Sequence, residues 1–337
     1  MRVDVALDLP RMARLSVGMT AYAEELARRL PHTAPDLRFE SVVRSSGLDR
    51  REQVDLPLRL RRLRPRLVHH LSVYAPLAGP RPYVITIHDL IHLRFPTHFK
   101  RSVGPYYRTV VRTVCARAAR VITDDERTVG DLRRYLGVTP ENVRVVALGV
   151  DDAFFDRVEP AAAPRPYLLY AGNHRPHKDL ATLFRAWEAL DPALDVDLVL
   201  TGNDEHDIAL LRPRREHGRL RFAGNVSRAQ LARLYRGALA FVYPSLCEGF
   251  GLPMLEAAAV GTPVIASADA VPTVLRPYAD VFPTRDVGAL RRLLERTIAT
   301  PGQREAARTF ARTLTWDRCA ERTAEVYRDV LAEGCGR

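Results

Sequence analysis

Short apolar runs alternate with longer stretches of helical periodicity along almost the whole chain. In the first half, the predicted strands begin at Val3, Arg38, Arg66, Tyr83, Arg120 and Val143. In the second half, they begin at Tyr167, Val196, Arg219, Leu239 and Pro263. Helices are predicted at 18–30, 106–119, 180–190, 228–237, 252–260 and 288–297. This alternation is typical of an α/β fold in which parallel sheets lie between layers of helices.

The segment 151–166 interrupts the alternation, because it is rich in proline and alanine and lacks a clear period. We therefore interpret it as a linker. The 337 residues are enough for two domains of ordinary size. We predict two doubly wound, Rossmann-like domains at 1–155 and 165–315. Ligands of such sheets bind beyond the carboxyl ends of the strands, so the residues that follow each strand are the candidates for a functional site.

The segment 243–267 carries the strongest local pattern. A buried strand ends at Pro244, and a glycine-containing loop leads into a helix that begins at Leu252. Pro253 lies in the first helical turn, where proline is tolerated, and Gly261 is expected to end the helix. This strand, loop and helix together favour an anion site at the start of the helix.

The residue types of this loop suit a nucleotide diphosphate. Gly249 and Gly251 let the backbone approach a ligand, and the helix start offers free amides and a positive dipole end to phosphate. Glu248 and Glu256 flank this anion site, but carboxylates are poor partners for phosphate. We expect them to accept hydrogen bonds from hydroxyls instead, Glu248 from a sugar and Glu256 from the ribose.

The run EGFGLPMLE at 248–256 resembles the Glu-x7-Glu signature of the retaining glycosyltransferases of the GT-B fold, family four, also called glycosyl transferases group 1. The segments 143–155, 167–190, 219–245 and 313–331 resemble other parts of that family, so the resemblance covers most of the chain. It implies two Rossmann-like domains that face a central cleft, with a closing helix at about 316–333 that returns to the first domain.

The resemblance also implies the site residues. The catalytic candidates are Glu248, His88 and Lys178, with Lys178 against the donor diphosphate and His88 near the donor sugar. The amides of Phe250, Gly251 and Leu252 would hold the diphosphate. The donor-binding candidates are Gly18, Asn173, Arg175, His177, Lys178, Asn225, Val226, Glu248, Gly249, Phe250, Gly251, Leu252 and Glu256. No metal and no cofactor is expected, since the nucleotide-diphosphate sugar is a co-substrate.

The sequence departs from the family pattern in several places. His177 and Asn173 stand where many relatives have arginine, and Arg175 is the nearby alternative. Only Gly18 remains of a glycine-rich loop before the first helix. An acidic run, Asp124 to Glu126, replaces a Ser-Glu segment. Either it faces an acceptor or it begins a helix, where acidic residues suit the dipole, and we favour the helix start.

The net charge of +11 comes almost entirely from arginine, since only Lys100 and Lys178 are lysines among 51 basic residues. Such a skew is typical of codon bias, although a polyanion or a membrane would also suit it. Two basic stretches, from Leu58 and from Phe99, leave peripheral membrane contact open, and we favour solvated helix faces. The four scattered cysteines and the lack of a leader pattern favour a cytoplasmic protein, with a peripheral position on the inner membrane face as the alternative.

The sequence therefore predicts transfer of a hexose from GDP-mannose or a UDP-hexose to a hydroxyl of a glycan, a lipid-linked acceptor or a natural product. A sugar-nucleotide epimerase, a catalytically silent homologue and a basic nucleic-acid-binding protein are the alternatives. No aromatic stacking platform or zinc finger is evident, which disfavours nucleic acid as a partner. No paired general acid and base is evident either, which disfavours a glycoside hydrolase. Oligomeric state is left open.

Overall fold

Each half of the chain folds around its own six-stranded parallel sheet. The computed structural model describes residues 3–10, 17–44, 51–156, 158–202, 218–302 and 304–335. The first unit comprises Met1–Gly149 together with Thr315–Arg337, and the second comprises Val150–Leu314. The predicted α/β class with two Rossmann-like domains is therefore confirmed.

The first unit contains six strands and the helices that connect them. Its strands are β1 (Val5–Pro10), β2 (Phe39–Arg44), β3 (Leu67–His70), β4 (Tyr83–Thr86), β5 (Arg120–Thr123) and β6 (Val143–Val145). Its helices are α1 (Val17–Thr33), α2 (Glu52–Leu63), α3 (Ile91–Arg94), α4 (Val103–Tyr106), α5 (Arg112–Arg117), α6 (Glu126–Asp131) and α12 (Trp316–Cys335). Wide π turns at Tyr107–Val111 and Leu132–Leu136 continue α4 into α5 and extend α6.

The first sheet has the strand order β2-β1-β3-β4-β5-β6, so its connections reverse direction between β1 and β3. The core on one face combines Leu56 and Leu60 of α2 with Val111 of the turn before α5 and Val114 of α5. The last helix, α12, packs against α1. The chain enters that helix beside Gly149, where a Cβ atom would lie 2.2 Å from the amide nitrogen of Trp316. Only glycine allows this approach.

The second unit repeats the same plan. Its strands are β7 (Tyr167–Tyr170), β8 (Asp197–Thr201), β9 (Leu220–Gly224), β10 (Ala240–Tyr243), β11 (Val264–Ser267) and β12 (Asp280–Phe282). Its helices are α7 (Leu180–Glu188), α8 (Arg228–Gly237), α9 (Leu252–Val260), α10 (Val287–Ala299) and α11 (Glu305–Ala311). The order β12-β11-β10-β7-β8-β9 reverses direction between β7 and β10. Such a switch point is where open α/β sheets bind ligands.

The predicted elements agree closely with the observed ones. Strands β1 to β11 and helices α8 and α9 appear where periodicity placed them. Within the predicted linker, Asp152–Phe154 forms a short 3-10 helix. The sequence missed β12, a three-residue edge strand too short to show a period, and the short helix α11.

None of the described helices combines the length and the apolar character needed to cross a bilayer. Cys115, Cys247 and Cys319 are buried free thiols.

Candidate active site

The switch point of the second sheet carries a buried ion pair. The loop after β7 ends in a 3-10 turn, Pro176–Lys178, and the loop after β10 contains Glu248. The Lys178 Nζ donates to Glu248 Oε1 at 2.6 Å, and the two side chains are only 8% and 10% exposed. Sequence analysis predicted both residues, and the structure places them in direct contact.

The two loops are tied together by backbone contacts that fix this geometry. The carbonyl of His177 accepts from the amide of Leu246 at 2.8 Å and from the Ser245 hydroxyl at 3.0 Å. The Ser245 carbonyl in turn accepts from the Ser267 hydroxyl at the end of β11. The backbone carbonyl of His177 therefore holds the two loops together, while its side chain is buried.

Tyr243 is a second partner of Lys178 that sequence analysis missed. Its hydroxyl accepts from Lys178 Nζ at 3.0 Å, and its ring stacks on Tyr170 at 5.6 Å. Burial, with the neighbouring Glu248 carboxylate, raises the pKa of Tyr243 well above its ordinary value, so the phenol is neutral. The sequence feature that could have identified Tyr243 is its position as the last residue of a buried strand, which lies beside β7.

The start of α9 has the backbone geometry expected of an anion site. Gly251 caps the helix with φ +81°, and a Cβ there would lie 2.3 Å from Met254 Cε. The positive φ would strain any side chain at this position, and the Met254 methyl would have to move to admit one. In the first helical turn, Pro253 has no N–H and the Met254 amide donates to the Gly251 carbonyl at 3.0 Å. Leu252 therefore supplies the amide of this turn that has no acceptor within the helix. Gly261 ends α9 with φ +93°, as predicted.

Glu256, the second glutamate of the motif, lies in the second turn of α9 and is half-buried. Its Oε2 accepts from the Tyr235 hydroxyl of α8 at 3.2 Å. Burial raises the pKa of Glu256 to about 7, although the Tyr235 hydrogen bond opposes that shift. Tyr235 is held edge-on against Phe241 of β10, with ring centroids 5.2 Å apart. The carboxylate is therefore fixed in orientation and costly to ionise.

We expect Glu256→Gln to raise thermal stability at pH 8 and to leave it unchanged at pH 4. The folded state binds the Glu256 proton more tightly than the unfolded chain does, so wild-type stability falls as pH rises from 4.5 to about 7. The neutral amide removes that loss. Melting temperatures at pH 4 and pH 8 check this, with the exposed Glu305→Gln as the control. A Glu256→Gln protein that melts at the wild-type temperature at pH 8 would contradict it.

The remaining donor candidates of the second unit are spread along the same edge of the sheet. Asn173 and Arg175 are exposed in the loop after β7, where the Asn173 side chain accepts from the Arg175 amide at 3.4 Å. Asn225 and Val226 follow the edge strand β9, and Asn225 is exposed. The structure thus brings Lys178, Glu248 and α9 together and leaves Asn225 and Val226 two strands away from β7.

In the first unit, His88 and Asp124 form a buried pair beyond the ends of β4 and β5. The His88 Nδ1 lies 2.6 Å from Asp124 Oδ2, and the side chains are 12% and 1% exposed. Burial alone would lower the pKa of His88, but the Asp124 carboxylate outweighs it and raises that pKa. The His88 Nε2 has no partner among the described groups. Protonated His88 is thus a ready hydrogen-bond donor.

His88 is held in place from beneath by a hydrogen-bonded network. The Tyr22 ring packs edge-on against it at 4.7 Å, and the Tyr22 hydroxyl bonds to Thr86 at 2.8 Å. His69 bonds to Thr86 at 2.8 Å and to Tyr327 of α12 at 2.6 Å. Burial lowers the pKa of His69 to about 3, so this imidazole stays neutral. The network joins α1, β3, β4 and α12 below His88.

Asp124 and Asp125 of the acidic run have two different roles. Asp125 begins α6, because its side chain accepts from the Arg127 amide at 2.9 Å, as the helix-start interpretation predicted. Asp124, one residue earlier, points to His88 instead, which sequence analysis missed. The sequence feature that could have revealed this contact is the position of Asp124 directly after β5, the strand next to β4. Gly18 lies in the first turn of α1, and the loop before it, 11–16, lies outside the described residues.

Two family models match this chain with little overlap. The model "Glycosyltransferase Family 4" matches residues 22–154, and "Glycosyl transferases group 1" matches residues 151–314. The chain belongs to the family 4, group 1 glycosyltransferases. The family accounts for the motif at 248–256 and for the two Rossmann-like domains.

Curated relatives in this glycosyltransferase family include mannosyltransferases. The chain is 25% identical over 289 residues to O-antigen chain mannosyltransferase B of Escherichia coli, covering 80% of this chain and 76% of that protein. It is 32% identical over 254 residues to D-inositol 3-phosphate glycosyltransferase of Salinispora tropica, covering 65% and 53%. It is 30% identical over 237 residues to the MMP alpha-(1->4)-mannosyltransferase of Mycolicibacterium hassiacum, covering 66% and 56%. The alignments thus span about half the length of the last two relatives.

Solved structures share the fold of this glycosyltransferase over nearly its full length. Sucrose-phosphate synthase from Thermosynechococcus elongatus matches with a TM-score of 0.72 and 19% identity, covering 98% of this chain and 100% of that one. Anabaena HepE in complex with UDP-glucose matches with a TM-score of 0.73 and 16% identity, covering 97% and 100%. These similarities establish the GT-B fold.

Proposed function

We propose that this glycosyltransferase is a retaining, metal-independent hexosyltransferase. Its donor would be GDP-mannose or a UDP-hexose, and its acceptor a hydroxyl of a glycan, a lipid-linked sugar or a natural product. The observation that carries the proposal is the Lys178–Glu248 pair, which lies at the switch point of the second sheet. The mannosyltransferase names of two relatives and the UDP-glucose in a structural neighbour support the donor class.

The chemistry follows from charge. When the bond between the sugar and the diphosphate breaks, negative charge grows on the departing phosphate oxygens. The Lys178 ammonium and the amides at the start of α9 stabilise that charge. A divalent cation would supply the same neutralisation, so the buried lysine is the reason that we propose metal-independent transfer. Retention of the anomeric configuration is proposed from the family resemblance.

The carboxylates and His88 would orient the donor. Glu248 accepts from a hydroxyl of the sugar, and Glu256 accepts from a hydroxyl of the ribose while Tyr235 holds its other face. His88 donates from Nε2 to an oxygen of the substrate, with Asp124 fixing the ring through Nδ1. Each of these groups forms its bond without rearranging, because its orientation is set by a protein partner beforehand.

Donor turnover tests the proposal. Wild type, incubated in EDTA with GDP-mannose, UDP-glucose or UDP-galactose and a set of acceptor sugars, should release nucleotide from one donor when a suitable acceptor is present. The anomeric proton coupling of the product, measured by NMR, should match that of the donor. Glu248→Gln is the control for contaminating activity and should be at least about 100-fold slower. An inverted product, a need for added metal or conversion of the nucleotide sugar without an acceptor would contradict the proposal.

A further inference from the structure

One face of the first unit carries basic helices over a shared core. Leu56 and Leu60 of α2 and Val111 and Val114 of the segment running from α4 to α5 belong to the same buried cluster. Both helical segments therefore lie on one side of the sheet. We call their outer surface the basic face. It consists of Val54, Leu58, Arg61, Arg62, Arg64, Leu77, Lys100, Arg101, Arg108, Arg112 and Arg117, all of them exposed.

The basic face exposes large apolar side chains to solvent. Val54 is 63% exposed and Leu58 is 45% exposed, and they are four residues apart on the outer side of α2. Leu77, in the loop between β3 and β4, is 47% exposed. Its carbonyl accepts from the Arg117 guanidinium at 3.4 Å, which places it beside the end of α5. Three of the five large hydrophobic side chains exposed in the described chain therefore lie on this face.

The cations around these apolar side chains are not neutralised locally. Throughout the ranges that the structure describes, no carboxylate forms an ion pair with Arg61, Arg62 or Arg64. Among the described residues, the same holds for Lys100 and Arg101 before α4, for Arg108 in the turn after it, and for Arg112 and Arg117 of α5. The sequence from 99 to 120 contains no acidic residue. The outer side of α2 carries Asp55, which lies 3.7 Å from Arg59.

We infer that the basic face docks onto an anionic lipid membrane. Val54 and Leu58 enter the headgroup region, while the surrounding arginines contact lipid phosphates. Exposed aliphatic side chains ringed by arginine suit a lipid surface. A surface for single-stranded nucleic acid would instead present aromatic rings for stacking, and Tyr278, the exposed aromatic among the described hydrophobics, lies in the second unit. The sequence left peripheral membrane contact open, and this inference assigns that contact to the basic face. The assignment does not depend on which sugar is transferred.

Vesicle co-sedimentation of the full chain tests the inference. In 0.1 M NaCl, wild type should sediment with vesicles of 70% phosphatidylcholine and 30% phosphatidylglycerol, and should stay in solution with phosphatidylcholine alone. Binding should weaken steeply in 0.5 M NaCl, because the attraction is screened. Each arginine near the surface is expected to contribute about fivefold to partitioning.

Two variants separate the charge from the apolar contribution. Arg61→Glu/Arg62→Glu should lower partitioning at least ~25-fold. Val54→Ser/Leu58→Ser should lower it about tenfold, because the inserted aliphatic area is lost. All four side chains are exposed, so both proteins should fold, which their melting temperatures check. The matched control is Arg291→Glu/Arg292→Glu on α10, which makes the same charge change in the second unit and should bind as wild type does.

Three results would overturn the inference. One is equal binding to neutral and anionic vesicles, or to neither. Another is wild-type vesicle binding by Val54→Ser/Leu58→Ser. The last is tight binding of a 30-base DNA oligonucleotide that Arg61→Glu/Arg62→Glu abolishes and Val54→Ser/Leu58→Ser leaves intact, which would assign the face to nucleic acid. Since none of these measurements uses sugar transfer, a failed transferase assay does not bear on them.

Discussion

Replacement of Lys178 by alanine is expected to lower sugar transfer at least about 100-fold and to lower stability by about 3 kcal/mol. Transfer falls because the ammonium that stabilises the departing diphosphate is gone. Stability falls because Glu248, which is only 10% exposed, loses its partner at 2.6 Å. In a domain of this size, the melting temperature should drop by roughly 6–12 °C. Initial rates measured well below the melting temperature check the first effect, and thermal unfolding checks the second.

A double variant separates these two effects. Lys178→Met/Glu248→Gln removes both charges and keeps the volume of both side chains, so it should regain most of the lost stability. It should remain as inactive as Lys178→Ala, because the diphosphate still meets no cation. If the double variant regained transfer together with stability, Lys178 would be a structural residue and the proposed donor site would be wrong.

Replacement of Asp124 by asparagine is expected to lower transfer about tenfold to 100-fold on the alkaline limb of the pH profile and to move that limb to lower pH. Asp124 is the group that raises the pKa of His88 against the opposing effect of burial. Without the carboxylate, burial dominates and His88 loses its proton at lower pH. The neutral imidazole then has no proton on Nε2 to donate, if Nδ1 keeps its hydrogen bond to residue 124.

The same pair makes stability depend on pH in a defined direction. The folded-state pKa of His88 lies above the ordinary value of 6.5. Its stabilisation is therefore fully present below pH 6.5 and is lost as pH rises through the folded value. The other titratable groups near this pair are Asp89, Asp125, Tyr22, His69 and Cys319. Tyr22 and Cys319 have pKa values raised by burial and His69 has one lowered by burial, so all three stay neutral over this range.

Asp125→Ser is the matched control for Asp124→Asn. Asp125 is the adjacent buried carboxylate, but it caps α6, and serine keeps that cap. Its pH profile should follow that of wild type. Equal shifts of the alkaline limb in both variants would show that the local charge of the loop, rather than the His88–Asp124 contact, sets the profile.

The sequence located the chemistry of the second unit well because that chemistry is local. The loop and helix at 248–261 are marked by Gly251 and Gly261, whose positive φ favours glycine, and by Pro253 in the first turn, where proline is tolerated. Both ends of α9 were placed correctly. Lys178 and Glu248 were each predicted, but their contact was not. It depends on β7 lying beside β10, which is a property of strand order and cannot be read from a separation of 70 residues.

The first unit shows the opposite case. His88 was predicted, but its partner Asp124 was grouped with Asp125 as a helix start. A shift of one residue at the end of a strand decides whether a carboxylate caps a helix or reaches the end of a neighbouring strand. Hydrophobic periodicity does not place helix ends to within one residue. Tyr235 and Tyr243 were missed for a related reason. Both lie in regular elements, where their apolar rings match the core pattern and their hydroxyls leave no signal.

Calorimetric titration with UDP, GDP, ADP and dTDP, run on wild type and on Lys178→Met/Glu248→Gln, tests the central claim most directly. The claim is that the Lys178–Glu248 pair and the start of α9 form the site for a nucleotide diphosphate. It predicts that one of the four nucleotides binds wild type with clear preference and binds the folded double variant at least about tenfold more weakly. Equal affinity for both proteins, or no binding of any of the four at millimolar concentration, would contradict it.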